Sequence, residues 1–249
     1  MPARGPFRAD QIRPGDPYEL SNGHALFSPP TGARGGRANL VGAEVLDTDP
    51  RVDSAGIDVG ISSGPQELRA PDIAVGNVPN EPGWASTAPP LAVEYADTGQ
   101  DEEALHVKIA ELFAAGTKLV WVVRLAGERC VEVHAPGTPL RVAMPGEDLT
   151  APGILQNAVP VEALYDRTAA HEATLRNLLN RKGFKDLDHV REEGRVLGVR
   201  AALYAVLAGR GVEITPAQRA AIDSERDGAK LTDWLSLAAV ATDASALHF

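Results

Sequence analysis

The sequence predicts an α/β fold in which helices flank a mixed sheet, followed by an all-helical C-terminal extension. Short apolar runs bounded by proline or glycine recur up to about residue 135, and a helical segment separates two of them. From about Asp166 onward, helical patterns replace the short runs. We therefore expect a flexible N-terminal arm at residues 1–17, an α/β domain at residues 18–165 and a helical extension at residues 166–249.

The first part of the predicted domain contains a hairpin, a helix and a strand. A Ser-Asn-Gly turn separates two short apolar pieces in residues 18–27, which predicts a β-hairpin. Residues 37–46 follow a glycine-rich bend and have a modest helical pattern. Gly56–Ser62 alternates apolar and small residues, and this alternation predicts a strand.

The middle of the domain reads as strand, loop, strand and helix. Arg69–Val75 and Leu91–Ala96 are apolar runs bounded by prolines, and both are predicted as strands. Residues 77–90 contain too many prolines for regular structure, and loops of this length are often functional. Asp101–Ala115 has no proline or glycine, begins with acidic residues and precedes Gly116, which predicts a helix.

The remaining elements complete the sheet and form the extension. Residues 118–125 and 129–135 are β-rich and flank Ala-Gly-Glu, so they are predicted as a second hairpin. Glycine and Thr-Pro punctuation at residues 209–216 divides the tail, and further helices are expected at residues 217–223 and 229–241.

The composition argues against a membrane protein and against a disulfide-linked or cysteine-rich zinc protein. Apolar runs such as Leu119–Val123 are far too short to cross a bilayer, for which about 20 residues are needed. Cys130 is the only cysteine, which excludes an internal disulfide and a cysteine-rich zinc site. The N-terminus carries arginines, prolines and aspartates but no apolar core of a signal peptide. We expect a soluble cytoplasmic protein with no membrane partner.

The charge distribution bears on nucleic-acid binding. The formal net charge is −10, and the whole acidic excess lies in the first 170 residues. Strong sequence-independent binders of nucleic acid usually present a basic surface to the phosphates. The sequence therefore predicts weak, salt-sensitive binding, or binding that depends on a recruiting protein or guide partner.

Three residues stand out against this acidic background. Strand alternation places Glu94 on one face with Ala92 and Ala96, and it places Asp72 on a face with Ala74. In the following helix, Lys108 lies at the edge of the apolar stripe rather than on the solvated face. Both acids thus have small neighbours that leave room for an ion.

These residue types suit phosphodiester hydrolysis. Asp72 and Glu94 can supply ligands for Mg²⁺ or Mn²⁺, with a backbone carbonyl such as that of Tyr95 as a further ligand. Lys108 can orient the nucleophilic water, help its deprotonation or stabilise the developing charge. The alternative is structural: Asp72 starts a strand, Glu94 pairs with Lys108 in a half-buried salt bridge, and nothing is catalysed.

Several sequence motifs carry a resemblance that favours the catalytic interpretation. In order along the chain they are YELSNGHALFSPP (18–30), RAPDIAV (69–75), PLAVEY (90–95), Lys108 and GTKLVWVV (116–123). Together they resemble the Uma-two family of restriction-endonuclease-like proteins, within the PD-(D/E)XK nuclease superfamily. The resemblance covers about residues 18–164, and it implies a restriction-endonuclease-like fold.

The resemblance also implies roles for individual residues. Asp72 and Glu94 correspond to the two acidic metal ligands. Lys108 corresponds to a lysine displaced onto the next helix, because the usual superfamily position, two residues after the glutamate, holds Ala96. Glu44 is a candidate additional acid on the first helix, with a solvated helix face as the alternative. Asp97 is close enough in sequence to join the site, or it favours the start of the following helix.

The function expected from the sequence is a metal-dependent endonuclease acting on DNA. Superfamily nucleases are often dimers that cut both strands, so a homodimer is an expectation at the level of the family. The alternative is a catalytically weak or inactive nuclease-fold module whose helical extension binds a protein partner or nucleic acid.

Overall fold

A six-stranded mixed sheet forms the centre of the first of two compact units. The structure is a computed structural model that describes residues 5–243, and these divide into two units between Arg181 and Lys182. The strands are β1 Tyr18–Ser21, β2 His24–Phe27, β3 Ala55–Ile57, β4 Ile61–Gly64, β5 Glu67–Arg69, β6 Ile73–Val75, β7 Leu91–Ala96, β8 Leu119–Arg124, β9 Cys130–His134, β10 Arg141–Ala143, β11 Asp148–Leu149 and β12 Val159–Pro160. The helices are α1 Ala33–Asp47, α2 Glu102–Ala115, α3 Arg167–Arg181, α4 Leu187–Gly209, α5 Pro216–Ser224 and α6 Gly228–Val240.

The central sheet has the order β10-β9-β8-β7-β6-β3. Its only parallel pair is β7 with β8, and α2 connects them as the predicted strand–helix–strand unit. A second, four-stranded sheet has the order β2-β1-β5-β4, and β11 pairs with β12 in a short ribbon. The predicted mixed α/β fold is therefore confirmed.

Two apolar cores lie on the two faces of the central sheet. On one face, Ile73, Val93 and Trp121 are buried in the larger core, which also contains apolar residues of α1 and α3. On the other face, Leu105 and Ile109 of α2 belong to a smaller core. The almost continuous apolar sequence of β7 and β8 suits strands that are covered on both faces.

The two predicted hairpins are present. β1 and β2 are joined by Asn22 and Gly23, both of which have positive φ (52° and 76°), as a tight hairpin turn requires. β8 and β9 form the second hairpin. α2 has the predicted limits: the Asp101 side chain accepts a hydrogen bond from the backbone nitrogen of Ala104, and Gly116 ends the helix in the left-handed conformation.

The prediction of two continuous strands is wrong, because the structure divides each of these segments into two shorter strands. Gly56–Ser62 splits into β3 and β4 at Asp58, whose φ is 54°, and the two parts belong to different sheets. Arg69–Val75 splits into β5 and β6 around Pro71, which has no backbone donor for a sheet. In both places the chain leaves one sheet for the other.

The described part of the N-terminal segment contacts the four-stranded sheet. Residues 1–17 were expected to form a flexible arm; residues 1–4 lie outside the described part of the chain. In residues 5–17, the backbone nitrogen of Phe7 donates to the carbonyl of Gly23 (2.7 Å), and that of Ala9 donates to the carbonyl of Pro65 (2.9 Å). Ala9 is buried, so this segment packs on the four-stranded sheet.

The second unit consists of α4, α5 and α6, which share a core around Leu203, Leu231 and Trp234. The predicted division of the tail at residues 209–216 agrees with the end of α4 and the start of α5. The helical extension was expected to begin at residue 166, but α3 belongs to the first unit, where it packs on α1. Residues 244–249 of the predicted extension lie outside the described residues. Within residues 5–243, no helix combines the length and apolarity that a membrane span requires.

Arg181 attaches the end of α3 to the end of α1. Its guanidinium donates to the carbonyls of Thr48 (2.9 Å) and Val52 (2.6 Å), and it also reaches the carbonyls of Asp47 and Asp49. A cation at this position satisfies the unpaired carbonyls at a helix C-terminus.

Arg181→Ala is expected to lower the free energy of unfolding of the first unit by about 2 kcal/mol, because several carbonyls lose a charged donor. Denaturant unfolding followed by circular dichroism measures this change. Arg13→Ala is the control, since the Arg13 side chain is 85% exposed beside Asp16 and should contribute less than about 1 kcal/mol. Equal effects of the two substitutions would contradict the assignment of α3 to the first unit.

Candidate active site

β6 and β7 bring Asp72 and Glu94 to the same face of the central sheet. Ile73 pairs with Val93 in antiparallel register, so Asp72, one residue before β6, lies beside Glu94. Directly opposed residues in such strands have Cβ atoms about 4.5–5.5 Å apart. The Asp72 carboxylate also accepts a hydrogen bond of 2.6 Å from the backbone nitrogen of Tyr95, at the edge that β6 leaves open.

Small side chains flank both acids. Glu94 stands between Ala92 and Ala96, which belong to the core beneath α2. Ala74 lies on the same face as Asp72, because Ile73 and Val75 are buried in the core of the opposite face. The strand faces therefore agree with those expected from the alternation of the sequence.

Lys108 of α2 points to Glu94 and not to solvent. Its Nζ donates to the carbonyl of Ala70 (2.7 Å) and lies 3.0 Å from Oε1 of Glu94 and 3.2 Å from Oε1 of Glu19. The side chain is only 15% exposed. A single ammonium is thus shared between two carboxylates and a backbone carbonyl.

Burial and neighbouring charges alter the ionisation of the three residues. Burial raises the pKa of Glu94 to about 8, although the charge of Lys108 opposes the shift. Burial also raises the pKa of Asp72, against the hydrogen bond from Tyr95. Burial alone would lower the pKa of Lys108, but Glu94, Glu19 and Asp72 together raise it above its usual value. Lys108 is therefore an ammonium at neutral pH.

One oxygen of Glu94 lacks a proper hydrogen bond. Oε2 accepts from Lys108 at 3.1 Å, whereas Oε1 is buried and has no hydrogen bond of good geometry, although it lies close to the same nitrogen. Burying a carboxylate oxygen without a hydrogen-bond donor destabilises the fold. A hard cation would supply the missing partner, because Mg²⁺ and Mn²⁺ prefer oxygen ligands.

A second group of charged residues surrounds the triplet. Arg69 of β5 pairs with Glu19 of β1 (3.1 Å) and with Glu111 of α2. Asp58 follows β3, and its backbone nitrogen donates to the carbonyl of Asp72 (3.2 Å). Partial burial and the charge of Glu19 raise the pKa of Asp58. Acids outnumber bases around Lys108.

A cleft of about 710 Å³ opens over these residues. Asp72, Lys108, Glu19 and Asp58 contribute to its wall, together with residues of the hairpin β1–β2 and the first turns of α1. Glu94 lies deeper, with 7% of its surface exposed. The candidate site is thus a carboxylate-rich cleft with the lysine on its wall.

The other residues named from the sequence have different positions. The Tyr95 hydroxyl donates to the carbonyl of Leu164 in the core (2.8 Å). The amide and carbonyl of one residue in an extended strand point to the same edge, so the Tyr95 carbonyl faces the Asp72 side. Glu44 is exposed on α1, away from the cleft wall. Asp97 forms an ion pair with Arg34, and it does not join Asp72 and Glu94.

The sequence did not predict that four further charged residues lie around the triplet. These residues are Glu19, Asp58, Arg69 and Glu111. Glu19 and Lys108 are brought together by two sheets and a helix, and no local pattern links positions so distant along the chain. One signal was available for Asp58, since it interrupts an alternating run, and aspartate is among the residues that tolerate positive φ.

The donor set fits a two-carboxylate cation site. In residues 5–243, no cluster of three or more His, Cys, Asp or Glu side chains has the arrangement of a metal site. Mg²⁺, however, is commonly held by one or two carboxylates, with waters and substrate phosphate oxygens completing its shell. Asp72, Glu94 and the Tyr95 carbonyl meet that lower requirement.

Comparisons with known proteins agree with this architecture. The model of the Uma2 family, described as "Putative restriction endonuclease", matches residues 7–162. A crystal structure described as "a putative nuclease belonging to DUF820", from Anabaena variabilis, has 17% sequence identity to this chain and a TM-score of 0.56. The similarity covers 66% of this chain and 99% of that one. No curated protein matches significantly.

The structural similarity supports the mixed α/β fold. The family match extends over more than half of the 249 residues and includes the strands and helix that carry Asp72, Glu94 and Lys108. This chain belongs to the Uma2 restriction-endonuclease-like family.

Proposed function

We propose that this protein is a metal-dependent endonuclease that hydrolyses phosphodiester bonds of DNA. The observation that carries the proposal is the side-by-side position of Asp72 and Glu94 on one sheet face, with the Lys108 ammonium between Glu94 and the cleft. Membership of a restriction-endonuclease-like family supports the same reaction class.

Asp72, Glu94 and the Tyr95 carbonyl would hold Mg²⁺ or Mn²⁺. When bound, the cation neutralises charge on the phosphate and lowers the pKa of a coordinated water. The Tyr95 backbone nitrogen donates a hydrogen bond to Asp72 and so orients it for this role, and Glu94 is held in the buried interior of β7. The open edge beyond β6 exposes Asp72 to the cleft, where a phosphate can approach.

Lys108 would act as a donor and not as a general base. The surrounding carboxylates keep it protonated, so it can orient the nucleophilic water or stabilise the charge that develops on the phosphate. Its short contact with the Ala70 carbonyl holds Nζ at the cleft wall. A positioned ammonium in a partly dry site interacts more strongly with such charge than it would in water.

A structural salt bridge between Glu94 and Lys108 would not account for the other acids near Lys108. One glutamate would suffice to neutralise Lys108, yet Asp72, Glu19 and Asp58 also cluster around it. Such a cluster carries repulsion that a cation relieves. The surplus of acid over base therefore favours a cation site over a simple ion pair.

The isolated chain would bind DNA weakly. The cleft wall contains Asp16, Glu19, Asp58 and Asp72 against the single cation Lys108. A surface of this sign repels phosphates except where a divalent cation intervenes. We propose that a second copy of the chain, or a recruiting protein or guide partner, supplies the missing affinity for DNA.

Cleavage of supercoiled DNA at low salt with Mg²⁺ or Mn²⁺ tests the proposed function. Asp72→Asn, Glu94→Gln and Lys108→Met are each expected to lower the cleavage rate by about 10²-fold or more, because each removes a cation ligand or the ammonium. Glu103→Gln and Lys118→Met are matched controls, since both side chains belong to exposed residues outside the cleft. Cleavage at an unchanged rate in the first three variants would contradict the proposed function.

Cation affinity is expected to depend on pH, because a proton and the cation compete for Glu94. With a Glu94 pKa of about 8, the dissociation constant for Mn²⁺ should fall by roughly tenfold per pH unit as the pH rises toward that value. Calorimetric titration at several pH values measures this slope. Glu94→Gln should bind Mn²⁺ weakly and without the slope; a flat profile in the unaltered protein would contradict the assignment of Glu94.

A further inference from the structure

We propose that Glu19 is a positioning residue of the active site, which holds Lys108 in place from the second sheet. This inference rests on the proposed nuclease function. Glu19 lies within the first of the motifs that carry the resemblance, but the resemblance gives it no role. The structure gives three reasons, which concern its contact with Lys108, its own anchoring and the charge balance of the site.

The contact with Lys108 is direct and sheltered. Oε1 of Glu19 lies 3.2 Å from Nζ, and the Glu19 side chain is 12% exposed. The neighbouring Leu20 is fully buried and pairs with both Ala25 and Leu68, so the register of β1 between β2 and β5 is fixed. The backbone therefore delivers the carboxylate to this place.

The second oxygen of Glu19 is anchored by Arg69. Oε2 lies 3.1 Å from Nη1 of Arg69, whose side chain is 8% exposed. Nε of Arg69 in turn donates to Glu111, and Glu111 also accepts from Ser21. Glu19 thus bridges two cations and cannot turn away from Lys108 without leaving Arg69 short of a partner, which is costly in a buried site.

The charge balance explains why a second carboxylate is needed. Glu94 pairs with Lys108 in the structure, but the proposed function requires its oxygens for the cation. Once Glu94 is engaged, the Ala70 carbonyl and Glu19 remain as partners of the ammonium. Glu19 would keep Lys108 directed at the cleft during the reaction.

The test compares Glu19→Gln with Glu111→Gln. Both substitutions remove a carboxylate that pairs with Arg69, but only Glu19 contacts Lys108. In Mn²⁺-dependent cleavage, Glu19→Gln is expected to lower kcat by roughly 10- to 100-fold with little change in KM, because the reacting groups are misplaced while substrate still binds. Glu111→Gln should stay within about threefold of the unaltered protein, and Glu19→Asp should recover part of the loss.

Nuclear magnetic resonance of the Lys108 ammonium gives a readout without substrate or metal. An ammonium held by three partners exchanges its protons slowly and gives an observable signal, which Lys108→Met identifies by its disappearance. The signal should persist in Glu111→Gln and broaden or shift in Glu19→Gln. Equal kcat values and equal ammonium signals in the two glutamine variants would overturn the proposal.

The nuclease activity and the positioning role of Glu19 can be tested separately. If the unaltered protein cleaves no nucleic acid, the proposed function fails, and the ammonium signal alone decides whether Glu19 holds Lys108. If cleavage requires Glu94 but tolerates Glu19→Gln, the nuclease function stands and the positioning role of Glu19 is refuted.

Discussion

The buried contact between Lys108 and Glu94 is the interaction on which the candidate site depends. Glu94 lies in the middle of a sheet covered on both faces, where an unpaired carboxylate would be prohibitively costly. Lys108 makes its burial tolerable, and the ammonium is itself held by Glu19 and the Ala70 carbonyl. Two ionisable groups are thus kept out of water beside Asp72, in a cleft where the acids still exceed the bases. Such an excess is costly for a fold but suits a site that recruits a cation.

The interruptions of the strands make this arrangement possible. At Asp58 and at Pro71 the chain leaves the sheet in which an uninterrupted strand would have continued. Because β6 begins only at Ile73, the edge of β7 at Tyr95 has no strand partner there, and the Asp72 carboxylate occupies that edge. The same crossings carry β5 into the second sheet, where Arg69 meets Glu19. Local irregularity at a functional cleft is common, because it lets polar groups reach a place that regular pairing would close.

Features that depend on neighbouring positions in the sequence were predicted correctly. Alternation placed Glu94 and Asp72 on the face shared with small residues, helical periodicity placed Lys108 at the edge of the apolar stripe, and caps defined α2. The division of two apolar runs was missed, because a run of β-forming residues reads the same whether it stays in one sheet or changes sheets. Glu19 was missed for a stronger reason, since its partners Lys108 and Arg69 come from other elements and only the packed structure brings them together. The family match supports the fold and the reaction class, while the roles of individual residues rest on the geometry.

The most direct test of this account is a crystal structure of the protein grown with Mn²⁺ near pH 8, with the metal located by anomalous scattering. The account predicts one Mn²⁺ ligated by the carboxylates of Asp72 and Glu94 and by the Tyr95 carbonyl, with Lys108 still bonded to Glu19 and to the Ala70 carbonyl. A structure in which Mn²⁺ is absent from this cleft, or binds elsewhere while Lys108 keeps its contact with Glu94, would contradict it.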